Sequence, residues 1–250
     1  MRRPDLPSSG ADGTVGKALD VLDRVADFER PVRFAELLAA SPYPKATLYR
    51  LLQTLTNQGL LHFDDRQQTY APGLRLVRLA HAAWRQSSLA PLARDHVDAL
   101  SETVGETIHL AQLDQGQVLY VDKRNARAPI EMFSQAGKIG PGYCTGVGKA
   151  MIAYLEPEAR EDAIRRQAFF RHTPQTLATA EAFRAELDQI RVDGVAFDRE
   201  EHEVGIICIA APILTERGRM LGEDSSPSSL QRQTLESLNR LRPLLLKTTQ

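Results

Sequence analysis

Cysteine is scarce in this chain, with only Cys144 and Cys208 among 250 residues. Two isolated thiols supply neither a disulfide framework nor a structural zinc site, and they fit a reducing cytoplasm. Long apolar runs are missing too. The longest, Ile206 to Leu214, is far short of the roughly 20 residues that cross a bilayer, so no membrane partner is expected. The N-terminus, MRRPDLPSSGADG, is basic but has no apolar segment behind it, so no secretory signal peptide is expected. No internal repeat is visible. Net charge is almost absent at −1, but the balance hides an asymmetry. Residues 1–90 hold 12 Lys+Arg against 9 Asp+Glu, whereas the remainder holds 19 against 23. A mildly basic front on a mildly acidic body suits a nucleic-acid reader joined to something else.

What is present starts with residues 44–57, PKATLYRLLQTLTN. Leu48, Leu51, Leu52 and Leu55 recur at i, i+3, i+4 and i+7 and predict one buried helix stripe. The opposite face offers Lys45, Thr47, Tyr49, Arg50 and Gln53, a set able to bond phosphates and base edges. Taken alone, this segment reads equally well as an ordinary surface helix. Its surroundings favour DNA. Val15, Ala18, Leu19, Leu22, Val25 and Ala26 mark an earlier helix, Phe34, Leu37 and Leu38 a short second one, and Ala40 to Tyr43 a tight turn. That order is a helix-turn-helix with its last helix placed for the major groove. Past Gly59, LLHFDD and TYAPG flank Arg66-Gln67-Gln68 and predict a β-hairpin wing, with Arg66 at its tip against phosphate or the minor groove.

The expected organisation is a disordered arm over 1–13, a winged helix over 14–73, a linker helix over 74–90 and a second domain over 91–250. Leu74, Val77, Ala80/His81 and Trp84 give the linker an apolar stripe. It either buries against a second subunit or packs on the winged helix beneath. In the second domain, Leu92, Val97, Leu100 and Val104 predict a helix stopped by Gly105. TIHLAQL and VLYVDKR predict a hairpin, and helical patterns follow at 144–154, 158–169 and 181–193. GVAFDREE and GIICIAAPIL read as strands, and Leu230 to Leu246 as one closing helix. Strands and helices without regular alternation indicate an antiparallel α+β domain.

Two constellations there carry chemistry. In YCTGVGKA, glycines run into a helix and present backbone N–H groups able to hold a carboxylate or phosphate. The spacing is not that of a Walker A loop, and Ala150 stands where a Mg²⁺-binding hydroxyl is required. The glycines also fit a purely structural role in close helix–sheet packing. Asp198, followed by Arg199, Glu200, Glu201 and His202, lines either a polar cleft or a solvated loop. An enzyme reading would join Cys144 or Cys208 to His202 and Asp198 as a nucleophile system, but nothing in the spacing demands it. No catalytic residue, cofactor or metal is expected. His109 and His172 read as structural.

The chain resembles the isocitrate-lyase-regulator (IclR) family of bacterial transcription factors over almost its full length. The resemblance is carried by KALDVLDRVADFERPVRFAELLAASPYPKATLYRLLQTLTNQGLL, GETIHLAQLDQGQVLYVDK, YCTGVGKAMIAYL and GVAFDREEHEVGIICIAAPI, in the family's order and spacing. It implies a winged helix, a linker helix and a GAF-like effector domain, assembled as dimers or dimers of dimers. It also implies a small organic-acid effector, a sugar acid or an aromatic acid, at Gly146, Val147, Asp198 and Cys208, with Met132 and Ile206 on the apolar side. One segment departs. After Gly222 the family continues with an apolar strand whose hydroxyls face the effector, whereas this chain has Glu223-Asp224-Ser225-Ser226-Pro227. Ser225 keeps the hydroxyl position, but Glu, Asp and Pro suit a central strand poorly. A frayed edge strand or an altered pocket wall is expected. The resulting reading is an effector-controlled, operator-binding regulator, a repressor, with Lys45, Thr47, Tyr49, Arg50 and Arg66 on DNA. Its rival is a metabolic enzyme or ligand-binding module whose N-terminal helices serve only assembly.

Overall fold

The computed structural model describes residues 13–87, 89–126, 132, 134–230 and 232–249. The chain divides into two compact units, residues 1–87 and 88–250. The arm expected over 1–13 lies outside the described residues except for Gly13, which opens the first helix.

The first unit begins with α1 (Gly13–Asp27), which buries Val21, Leu22 and Val25. The expected stripe was one face too wide. Val15 and Leu19 are 70% and 52% exposed, and Val21, absent from that stripe, is fully buried. β1 (Val32–Arg33) precedes α2 (Phe34–Ala40). The Ser41 hydroxyl then accepts the Tyr43 N–H at 3.1 Å and closes the turn. α3 (Lys45–Asn57) buries Leu48, Leu51, Leu52 and Leu55, the four leucines that its period selects. Gly59 ends it with φ of 69° while the Leu60 N–H reaches back to Leu55 O, a left-handed helix stop for which glycine has no Cβ penalty. β2 (Leu61–Asp64) and β3 (Thr69–Pro72) form the hairpin, and β1 adds to β3 to give the order β1-β3-β2. α4 (Leu74–Ser87) follows, with Leu76 packed on this core. Its stripe of Leu74, Val77 and Trp84 is exposed, at 86%, 65% and 36%. The winged helix beneath does not cover it.

The second unit opens with α5 (Ala90–Val104), which buries Ala90, Val97 and Leu100 and ends at left-handed Gly105. Leu92, expected on the buried face, is 79% exposed. β4 (Ile108–Asp114) and β5 (Gln117–Arg124) form the expected hairpin, and β6 (Ile139–Gly140) adds to β5. Then come α6 (Gly146–Ala153), α7 (Pro157–Arg165), α8 (Ala180–Asp193), β7 (Ala196–Arg199), β8 (Ile206–Leu214) and β9 (Met220–Ser229). The six strands pair antiparallel in the order β6-β5-β4-β9-β8-β7. Both faces are covered. Ala196 and Ala210 pack with α6, α7 and α8, while Ile207, Ile209 and Ala211 pack with Val97 and Leu100 of α5 and with Leu238 and Leu245. Burial on both faces explains why β8 reads as one unbroken apolar run rather than alternating.

One expectation fails here, and one of two alternatives is excluded. The closing segment is not one helix but α9 (Leu235–Asn239) and α10 (Arg242–Thr248), with Pro243 in the first turn of the second. A proline ring is tolerated in a first turn and breaks a helix interior. Nor is the 223–227 segment a frayed edge. β9 is central, between β4 and β8, with Glu223, Asp224, Ser225, Ser226 and Ser228 at 0–1% exposure. Strands β4 and β8 both leave backbone groups that only a strand between them can pair, and that demand overrides side-chain propensity. β4 pairs only as far as Ser225, so Pro227 lies where β8 alone is alongside, a tolerable place for a missing N–H. The cost is visible in unpartnered oxygens on Glu223, Asp224, Ser225, Ser226 and Ser228.

Candidate functional site

The first unit offers a candidate nucleic-acid interface. On α3, Lys45, Tyr49 and Arg50 are exposed and Thr47 is half-buried. Tyr49 makes an edge contact with Phe34, ring centroids 6.1 Å apart, which fixes its ring against α2. At the hairpin tip, Asp64 Oδ1 accepts the Arg66 and Gln67 N–H groups at 2.8 and 3.0 Å. This side-chain cap holds the turn and leaves the Arg66 side chain in solvent. An open groove of about 1080 Å³ runs between α3 and the wing. Lys45, Tyr49 and Gln53 line one wall, and Phe63, Gln68 and Tyr70 the other. Thr47, Arg50 and Arg66 stand outside the groove. Arg33 and Phe34, at the start of α2, also line it and were not legible as site residues, because only tertiary packing brings α2 beside α3.

The second unit contains a cavity of about 40 Å³. All seven effector residues inferred from the sequence line it: Gly146 and Val147 from α6, Asp198 from β7, Ile206 and Cys208 from β8, Ser225 from β9, and Met132. Of the α6 N–H groups, that of Gly148 is taken by Thr145 Oγ1 at 3.2 Å and that of Lys149 by Thr145 O at 3.0 Å. Only the Gly146 and Val147 N–H groups, which have no carbonyl one turn back within the helix, remain for a ligand. The anion cradle is therefore narrower than the glycine pattern suggests. Gly146 also serves packing. A Cβ there would meet Asp198 N and Cys208 Sγ, each at 3.4 Å.

Sequence reasoning missed His109, Tyr120, Ser134, Thr145, His202, Glu203 and Pro227 as lining groups. Alternation along β4 puts His109 on the α6 face, but its pairing with Ser225 depends on the long-range β4–β9 register. His109 Nε2 lies 3.2 Å from Ser134 Oγ, and its ring meets Tyr120 edge-on at 5.2 Å. Burial, helped by Lys123, pushes the imidazole down to about 3, so it is neutral. Burial lowers His202 to about 4, with His172 4.9 Å away adding to the effect. Burial and then Glu201 raise Asp198 to about 7, although its Oδ1 accepts the Glu201 N–H at 2.7 Å. Among the described residues no Lys or Arg lines the cavity. Below it lies fully buried Lys149, bonded to Glu201 at 2.5 Å and Glu186 at 3.0 Å.

The thiols speak against catalysis. Burial, then the neighbouring carboxylates, pushes Cys144 and Cys208 far above the usual thiol range. A thiol held protonated is a poor nucleophile. Among the described residues no group of three or more His, Cys, Asp or Glu side chains is placed to hold a metal ion. No described helix is long and apolar enough to cross a membrane.

Comparison with known proteins decides the family. Residues 14–65 match the IclR helix-turn-helix domain, and residues 81–250 match the bacterial transcriptional regulator IclR C-terminal domain. The chain belongs to the IclR family of bacterial transcriptional regulators. Among its relatives, the HTH-type transcriptional regulator KdgR of Escherichia coli strain K12 is 30% identical over 87% of this chain and 80% of its own. The crystal structure of a putative IclR regulator from Silicibacter sp. TM1040 superposes with a TM-score of 0.78 at 26% identity, covering 95% of this chain and 93% of that one. An IclR homologue from Microbacterium hydrocarbonoxydans, solved in complex with 4-hydroxybenzoate, shares the fold with a TM-score of 0.77 at 21% identity, over 95% and 98% of the two chains.

As an IclR-family member the chain is a DNA-binding transcription regulator and not an enzyme, and its C-terminal domain is a ligand-binding effector domain. The rival enzyme reading is thereby set aside.

Proposed function

We propose that this IclR-family regulator acts in the cytoplasm as a repressor, reading its operator through α3 and the wing and releasing it when a small organic acid fills the cavity. The observation that supports the effector site is the convergence of α6, β7, β8 and β9 on one cavity whose lining includes both donors and acceptors. Gly146 and Val147 N–H groups receive a carboxylate, and Asp198 accepts hydrogen bonds from hydroxyls on the ligand. A cavity of about 40 Å³ is small beside the ~300 Å³ and more of typical ligand pockets. Effector entry therefore has to move the walls, and that displacement is the event available for signalling. The likeness to the Microbacterium structure, at 21% identity, supports the fold alone; the acid assignment rests on α6 and on the sequence resemblance.

Arg50 and Arg66 carry separable roles. Arg50→Ala is expected to weaken specific operator binding by about 1–3 kcal/mol, the loss for a base-edge contact. Arg66→Ala should instead weaken all sequences alike and flatten the salt dependence. Anisotropy titrations against the DNA upstream of the protein's own gene, at several salt concentrations, read both. Unchanged affinity in Arg50→Ala moves that side chain off the interface, and salt-independent binding of the wild type removes the DNA reading of this face.

The exposed α4 stripe supports self-association, since dimeric readers place two recognition helices on successive half-sites. Trp84→Glu is expected to shift the protein to smaller species in light scattering and to cost operator affinity. A variant that keeps its size and its affinity overturns the dimer assignment of α4.

A further inference from the structure

The four buried leucines of α3 define by their period which residues stand at the centre of its outward face. At about 100° per residue, Ala46, Arg50, Gln53 and Asn57 lie within about 30° of the direction opposite Leu48, Leu51, Leu52 and Leu55. Lys45 and Thr47 stand about 90–110° from that direction, on the flanks. Exposure agrees, since Ala46, Arg50, Gln53 and Asn57 are exposed and Thr47 is half-buried. The groove beside the wing is displaced towards Tyr49: Lys45, Ala46, Tyr49, Gln53 and Asn57 line it, and Arg50 does not. Gln53 lies between the two directions. It therefore faces a duplex seated on α3 whether that duplex leans towards the wing or away from it.

The neighbouring polar groups are already occupied. The Thr54 hydroxyl donates to Arg50 O at 2.9 Å and the Thr56 hydroxyl to Leu52 O at 2.8 Å. Just past the helix, Gln58 Oε1 accepts Arg75 Nη1 at 3.0 Å, and across the groove Gln68 Nε2 donates to Asp65 O at 2.7 Å. Among the described residues the Gln53 amide is engaged in no such bond.

We propose that Gln53 is a base-reading residue specific for adenine, its amide oxygen accepting from N6–H₂ and its amide nitrogen donating to N7. This rests on the reading of α3 as the operator-binding helix and adds a residue and a base to it. In the major groove adenine sets an acceptor beside a donor, and a carboxamide carries the matching donor and acceptor side by side. Guanine presents two acceptors there, which suit a guanidinium such as that of Arg50 instead. With α3 laid along the groove, Gln53 is about 4.5 Å beyond Arg50, close to one base-pair step of about 3.4 Å. The adenine therefore neighbours the base edge that Arg50 meets.

Selection of binding sites from a pool of random duplexes by the full-length protein tests this, because it gives base preferences position by position. Wild type is expected to favour adenine at one position per bound copy of α3, beside the base met by Arg50, by roughly 5- to 150-fold. Gln53→Ala should lose the preference at that position and leave the others unchanged. Gln53→Glu should exchange adenine for cytosine, whose N4–H₂ group a carboxylate accepts. In a synthetic site, 7-deazaadenine at that position removes the N7 acceptor and should weaken wild type but not Gln53→Ala. The inference is overturned if Gln53→Ala keeps every preference of wild type, if the position it relaxes holds another base, or if 7-deazaadenine leaves wild-type affinity unchanged. Arg50→Ala separates the two levels. Preferences that survive Gln53→Ala but relax in Arg50→Ala leave α3 as the operator reader and remove only Gln53. Preferences that survive both variants, or a wild type that selects no sequence, remove the reading of α3 as well.

Discussion

Lys149→Met is expected to destabilise the unit of residues 88–250 by about 3–5 kcal/mol, the cost of breaking a buried ion pair from one side. The ammonium is 0% exposed and lies 2.5 Å from Glu201 Oε1 and 3.0 Å from Glu186 Oε1, with Arg199 also on Glu186 at 2.9 Å. Burial pushes Glu201 above the usual carboxylate range even with this partner. Glu186 is also pushed up by burial, but Lys149 and Arg199 outweigh that and leave it lowered. Glu201 is therefore the group that suffers when Lys149 goes. Methionine keeps the length of the stem, so the loss reports charge rather than a void. The double variant Lys149→Met/Glu201→Gln should recover a large part of it, because the uncompensated carboxylate leaves as well. Scanning calorimetry of the full chain resolves the two units' transitions. A single variant within about 1 kcal/mol of wild type would mean that the pair only replaces hydration that the site retains. The consequence reaches the site, since Lys149 ties α6 to the turn after β7 from which Glu201 donates to Asp198.

The second large effect concerns pH. Asp224 is 1% exposed beside Leu110 and Ala211, and burial raises it to about 8, against only the Ser225 N–H pulling it down. A raised folded-state value means that the native protein holds the proton longer than the unfolded chain. The associated stability is fully present below the ordinary carboxyl value near 4 and is lost as pH rises through about 8, at up to about 1.4 kcal/mol per pH unit. Burial shifts Asp198 and Glu223 the same way, so the effector unit should be distinctly more stable at pH 5 than at pH 8. Asp224→Val removes one of these carboxyls and supplies a β-branched side chain suited to a central strand. It should raise stability by about 2–4 kcal/mol at pH 8 and by much less at pH 5. Calorimetry at both pH values checks the sign. An equal gain at the two would show that Asp224 does not titrate in the window.

The parts of this protein legible from the sequence are those written in local period. The α3 leucines at i, i+3, i+4 and i+7 all buried as expected, because a 3.6-residue turn fixes which side chains share a face whatever lies opposite. The β4–β5 hairpin, the wing, β7 and β8 followed in the same way from alternation and turn residues. Local period also overreached. Val15, Leu19 and Leu92 fit their helical stripes but lie in solvent, since a period names a face and not the neighbour that covers it. The family motifs placed seven residues around one cavity, but nothing in their spacing showed that Thr145 would claim the Gly148 N–H or that Gly146 would press on Cys208 and Asp198.

Position 223 marks the boundary most sharply. Read locally, Glu-Asp-Ser-Ser-Pro is a poor central strand. The tertiary structure makes it one, because β4 and β8 meet in space across a separation in sequence and both require a backbone partner between them. The sequence by itself determined a winged helix, a linker and an antiparallel effector domain, through periods and turns that act within a few residues. Only the tertiary structure decided that two carboxyls, two imidazoles and a phenol line one cavity. Their burial and charge state depend on which strands lie side by side, and that is a non-local property of the chain.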